Sequence, residues 1–230
     1  MMPGSRNPSA AGFVETRYKA RMLASLRWVS LGIWLTLLAI AFVGSPAASP
    51  DQNAMIVKML TFRLDGVNLS LFALFNLMGV WPMVFIVLLA FDTTEQRVWR
   101  WPFVLGSFAL GAFALLPYLV LRKWGAQKRV ADKAWLQALG SRWAAGFLLS
   151  AALALSFMFF ASGDLEGFAK LFQHDQFTFV MSFDFIACSA AGVLLSLEDA
   201  AVRATSPSGL WSLGGAVGAA YRLVRSPLGR

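Results

Sequence analysis

Asp184 is the residue of this chain with the most chemistry to offer. It sits in Phe183-Asp184-Phe185, deep inside an apolar run over residues 177–197. A carboxyl group buried there is expensive unless it is paired, so it must face a bundle interior, a cavity or a partner. Two roles fit the placement: a proton or cation relay that touches substrate, and a hydrogen-bonded clamp between helices. Asn76, Ser182 and Tyr118 are the candidate partners, because the other apolar runs carry no internal lysine or arginine.

Asn76 opens a second polar spot in Phe75-Asn76-Leu77-Met78-Gly79-Val80-Trp81-Pro82. Pro82 has no N–H to give to the carbonyl of Met78 and is expected to kink its helix there. Pro117 repeats the device by freeing the carbonyl of Phe113. Broken helices in pairs line ion and substrate sites in transporters. They also serve as ordinary packing features of membrane helices. Asp184, Asn76, Pro82 and Pro117 therefore form the candidate intramembrane polar site, in which Asp184 and the Asn76–Pro82 turn are expected to meet. Asp199 and Arg203, spaced i,i+4, form a candidate interfacial ion pair.

Little else points to catalysis. His174 is the single histidine and Cys188 the single cysteine, whereas a zinc site takes three or four ligands. His174 adjoins Asp175, but neighbours in sequence seldom face each other, and a solvated loop pair is the simpler reading. One histidine is also few for an embedded haem. Phosphate-loop, dinucleotide, HExxH and GxSxG signatures are missing. No catalytic, cofactor or metal residue is assigned, and the expectation is a non-enzymatic protein.

The elements that must position Asp184 are five apolar stretches at residues 28–43, 69–91, 101–121, 143–161 and 177–197. A helix needs about 20 apolar residues to cross a hydrocarbon core about 30 Å thick. The chain is 58% hydrophobic and 14% charged, well short of the quarter that covers a soluble domain. The expected fold is all-α: an integral membrane bundle of five to six transmembrane helices. Residues 1–26 form a basic tail, 27–204 the five-helix bundle, and 205–230 an apolar and basic segment that is either an interfacial helix or a sixth span. The first span is expected to be retained, because Ser45-Pro46-Ala47 makes a poor signal cleavage site.

Residues 54–64 and the basic connection 122–142 read as helices lying in the interface. Trp28, Trp81, Trp99, Trp101, Trp124, Trp135 and Trp143 fall near the expected span ends, as an aromatic belt does. Ser107/Gly111, Cys188/Gly192 and Gly214/Gly218 offer small faces for close helix contact. The net charge of +8 is scattered through loops rather than gathered in a stripe, which favours lipid headgroups over nucleic acid. With five alternating spans the Lys and Arg residues divide eight to twelve between the two faces, too evenly to orient the chain. Six spans with both termini inside conflict least with that rule.

Three segments also carry a likeness: residues 75–82, residues 102–118 ending in Leu116-Pro117-Tyr118, and residues 181–203 with Phe183-Asp184-Phe185. Together, and loosely with residues 221–228, they resemble an uncharacterised family of multi-span membrane proteins of cyanobacteria and plastids. The likeness implies a bacterial inner, thylakoid or plastid membrane and brings no activity with it. The functional expectation is a non-enzymatic packing or assembly component of a membrane complex, partnered by the bilayer and by other membrane proteins or copies of itself. A small proton- or cation-coupled transporter using Asp184 is the alternative.

Overall fold

The structure, a computed structural model, describes residues 8–90, 92, 96–125, 134–139, 141–161 and 164–202. The described elements are helical: α1 (Pro8–Ala39), α2 (Gln52–Leu60), α3 (Leu69–Ala90), α4 (Trp101–Leu121), α5 (Ala134–Leu139), α6 (Arg142–Ala161), α7 (Leu165–His174) and α8 (Gln176–Val202). A wider π turn, Ile40–Gly44, ends α1. Five stretches are long and apolar enough to cross a membrane: Arg21–Gly44 together with α3, α4, α6 and the first 24 residues of α8. The protein is an integral membrane helix bundle. Arg203 and the segment 205–230 lie outside the described residues.

Side-chain caps fix where the helices begin. Asn68 Oδ1 accepts from the N–H of Leu71 at 2.9 Å to start α3, while its Nδ2 donates to Asp164 Oδ2 at 2.6 Å. Asp164 in turn accepts from Gly167 N–H and starts α7. Asp175 Oδ2 accepts from the backbone and the hydroxyl of Thr178, at 2.8 and 2.7 Å, and starts α8. Each cap satisfies backbone donors that the first helical turn leaves unpaired. The carboxyl group beside His174 is therefore a helix cap.

In the core, α3 and α8 approach so closely that a Cβ at Gly192 would overlap the ring of Trp81. Trp81 is fully buried and stacks on Phe85 with ring centroids 5.3 Å apart. This corrects its place in the aromatic belt: it fills the bundle centre, while Trp99 and Trp143 stay exposed near helix ends and Trp28 is exposed along α1. Gly192 does make the close contact its spacing from Cys188 suggests.

The path of α4 departs from a straight rod. Gly111 has φ 51° and ψ −130°, a conformation that glycine alone adopts at little cost. In a straight helix Phe103 and Tyr118 would stand ~22 Å apart at 1.5 Å per residue. Their ring centroids are 5.8 Å apart. A Cβ built on Gly106 would lie 3.4 Å from Cβ of Ala114. At the open end, Lys123 N–H donates to Gln96 Oε1 at 2.8 Å. The chain thus enters along residues 101–110, turns at Gly111 and returns along residues 112–121. Each arm rises ~15 Å, half the thickness of a hydrocarbon core.

This hairpin assigns the helix ends to two faces. The C-terminal end of α3, both ends of α4 and the C-terminal end of α8 share a base face, where Arg122 reaches Asp92 and Glu198. The end of α1, the start of α3 and the start of α8 share the opposite, tip face. There Gln176 Nε2 donates to Ser45 Oγ at 3.1 Å and Ser70 Oγ donates to the Phe159 carbonyl at 2.9 Å.

Candidate functional site

A hairpin that reaches only half-way leaves the other half of the bundle to be filled. In its place is a cavity of about 670 Å³, walled by the end of α1, by α2, α3 and α8, and roofed at mid-depth by the α4 turn. Asn76, Ser107, Gln52, Gln176 and Asp184 bring the polar groups, and Phe75, Phe108, Phe113 and Phe177 most of the aromatic surface. Asp184 is the one charged residue lining the cavity among the described residues.

Asp184 meets the hairpin tip directly. Its Oδ1 accepts from the N–H of Ala112 at 2.8 Å, and the N–H of Phe113 also reaches the carboxyl group. These are the first donors of the returning arm, unsatisfied within the arm itself. Helix N-termini carry partial positive charge, so a carboxyl group contributed by a neighbouring helix is well placed there. Its other oxygen packs against Gly111 so closely that a Cβ at that position would overlap it. Both the backbone angle and the contact therefore require glycine at 111.

The expected partners are arranged differently. Asn76, Met78 and Gly79 line the same cavity as Asp184. Asn76 Nδ2 donates to the Phe72 carbonyl at 2.8 Å, which leaves its amide oxygen as the group available to a ligand. Ser182 Oγ donates back to the Thr178 carbonyl, and Tyr118 stands at the base face beside Arg122. Pro82 is buried inside α3 and Pro117 lies inside the returning arm; the cavity walls include neither. The break in α4 is six residues before Pro117, at Gly111, where a backbone angle rather than a missing N–H reverses the chain.

A second polar cluster closes the base face. Arg122 Nη2 lies 2.8 Å from Asp92 Oδ2, and its Nη1 lies 3.1 Å from Glu198 Oε2, with all three side chains fully buried. The guanidinium lies over the ring of Trp124 at 5.0 Å. Glu198 Oε1 also accepts from the N–H of Gly125 at 2.7 Å, and Arg100 donates to the carbonyls of Leu89 and Asp92. Planar, bidentate Arg is suited to bridging two buried carboxylates. Sequence reasoning placed Arg122 among headgroup-facing charges and overlooked Glu198 for its neighbour Asp199. The proposed partner of Asp199, Arg203, lies outside the described residues.

Helix α8 thus holds the returning arm at both ends, through Asp184 at the start and through Glu198 and Arg122 at the finish. No group of three or more His, Cys, Asp or Glu side chains that could hold a metal ion occurs among the described residues. No family model, curated protein or solved structure matches the chain.

Proposed function

We propose that the protein is a small proton- or cation-coupled membrane carrier, with the cavity under the α4 hairpin as its solute site and Asp184 as its coupling group. One observation carries the reading: a single carboxyl group, at mid-depth, joins a half-helix terminus to a cavity large enough for a solute. Broken helices whose ends meet at the bilayer midplane are the usual way such sites are built in transporters. Irregular backbone at that depth is tolerated where it lines a cavity or is buried in protein.

Charge supports an orientation for this carrier. Sequence segments joined to the base face hold thirteen Lys and Arg even without the C-terminal tail, while those on the tip face hold Lys58, Arg63 and Lys170. By the positive-inside rule the base face is cytoplasmic or its organellar equivalent, so the cavity lies on the translocated side. Asp51, Asp65, Asp164, Glu166 and Asp175 outnumber the bases there, a field that draws cations toward the mouth. The likeness to cyanobacterial and plastid proteins favours a bacterial inner, thylakoid or plastid membrane.

Asp184→Asn in proteoliposomes tests the proposal. Wild-type protein should give flux that responds to a proton or sodium gradient, and the variant should lose at least about tenfold of it. Absence of gradient-dependent flux in the wild type would sink the carrier. A packing or assembly role is the second reading, favoured by Trp143, Phe147, Phe157 and Phe160 exposed along α6. Such a face suits a protein neighbour as well as lipid, and partner capture that ignores Asp184→Asn while flux never appears would support it.

A further inference from the structure

We infer that the cavity takes a hydrophobic organic cation, such as an alkyl- or aryl-substituted ammonium or phosphonium. The inference rests on the carrier reading and adds the class of solute.

The walls decide it. Phe75, Phe108, Phe113 and Phe177 come from three different helices and surround the space that Asp184 and Asn76 border. Aromatic faces attract cations through the ring quadrupole, most strongly where water is excluded. Asp184 supplies the counter-charge and the Asn76 amide oxygen an acceptor, while the cavity walls contain no Lys, Arg or His among the described residues. An anionic solute would meet the Asp184 carboxyl group with no compensating base.

Size and composition argue against a bare inorganic ion. A Ca²⁺ or Mg²⁺ site gathers six or more oxygens at about 2.0–2.6 Å. This cavity is much larger, lies within the roughly 300–1,000 Å³ of small-molecule pockets, and offers few oxygens on a mainly apolar wall. The acidic tip face adds attraction for a positive solute before it enters. Neutral apolar molecules would fill the same space but gain nothing from Asp184.

Gly79 provides a way to block the site without disturbing Asp184. A Cβ there meets nothing within 4 Å, and the residue lines the cavity. Equilibrium binding to the purified full chain in detergent should be compared for methyltriphenylphosphonium and for neutral triphenylphosphine oxide, which differs from it by oxygen in place of methyl. Saturable phosphonium binding, at least about tenfold tighter than that of the oxide, is expected. Asp184→Asn should weaken the phosphonium about tenfold and leave the oxide within about twofold. Gly79→Phe should abolish both while the protein still elutes as the wild type does. Equal affinity for the two probes, or displacement of both by phospholipid with no effect of Asp184→Asn, would overturn the inference and mark an acyl-chain cavity. Asp184-dependent proton or sodium flux without phosphonium binding would also overturn it while sparing the carrier; loss of both flux and binding would overturn both.

Discussion

Gly111→Ala is expected to be the most damaging single-methyl change in the protein. The added Cβ must sit at φ 51°, where a non-glycine residue is strained by about 1–3 kcal/mol. It must also displace the Asp184 carboxyl group and the methyl of Met78, an overpacking cost of about 1–3 kcal/mol. The total of roughly 2–6 kcal/mol rivals the whole stability of many proteins. Gly146→Ala in α6 is the control, since a Cβ there meets nothing within 4 Å and alanine is the better helix former by about 1 kcal/mol. Thermal unfolding of the two purified variants should move in opposite directions. Combining Gly111→Ala with Asp184→Ala should relieve the overlap with the carboxyl group but not that with Met78 or the backbone strain, and it leaves the Ala112 N–H without its acceptor. Equal midpoints for Gly111→Ala and Gly146→Ala would contradict the hairpin turn.

Arg122→Met should destabilise the bundle by about 3–5 kcal/mol. The substitution removes a cation that lies 2.8 Å from Asp92 and 3.1 Å from Glu198, with all three side chains fully buried. Breaking a buried ion cluster costs that much because charges are left in a medium that cannot solvate them. Arg122→Lys should fall between, as an ammonium loses the two-pronged bridge and the stacking over Trp124. The triple variant Arg122→Met, Asp92→Asn, Glu198→Gln should regain most of the loss, since no carboxylate then requires the cation. Thermal midpoints of the three proteins check the order, and a triple variant no better than Arg122→Met would contradict it.

Most of the helical framework was legible because hydrocarbon thickness leaves a plain mark on composition. The five apolar stretches coincide with α3, α4, α6, α8 and the later part of α1 to within a few residues. Asp184 was legible for the same reason, since one carboxyl group stands out in an apolar run. Its partner was not, because the partner is a pair of backbone N–H groups that every residue but proline carries. The direction of α4 was hidden too. Both arms are apolar wherever they go, because each faces either its neighbouring helices or the apolar exterior, where Leu105, Phe108 and Leu110 are exposed, and hydropathy reports environment without reporting heading. Gly111, between Leu110 and Ala112, was the one local sign of the turn, and glycine is common in membrane helices.

The even division of charge was a symptom of that hidden reversal. Counting α4 as a crossing sends the basic connection 122–142 to the face opposite residues 92–100. Returning α4 to its own side reunites them and leaves three bases on the other face. The buried cluster at the base was missed for a related reason: a charge at the edge of an apolar run looks interfacial. Whether such a residue stays exposed, as Lys123 does, or points inward like Arg122 depends on neighbours 30 and 76 positions away.

Sided labelling of the α4 ends tests the re-entrant hairpin, on which the cavity and the orientation both depend. Cys188 is buried and is the only cysteine, so Cys188→Ala gives a clean background. Arg97→Cys, Lys123→Cys and Thr61→Cys each place one thiol at an exposed position, the first two flanking α4 and the third on the tip face. In sealed vesicles of one orientation, a membrane-impermeant maleimide should modify the thiols at 97 and 123 from the same side and the thiol at 61 from the other. Labelling of 97 and 123 from opposite sides would mean that α4 crosses the membrane, and the account would fail.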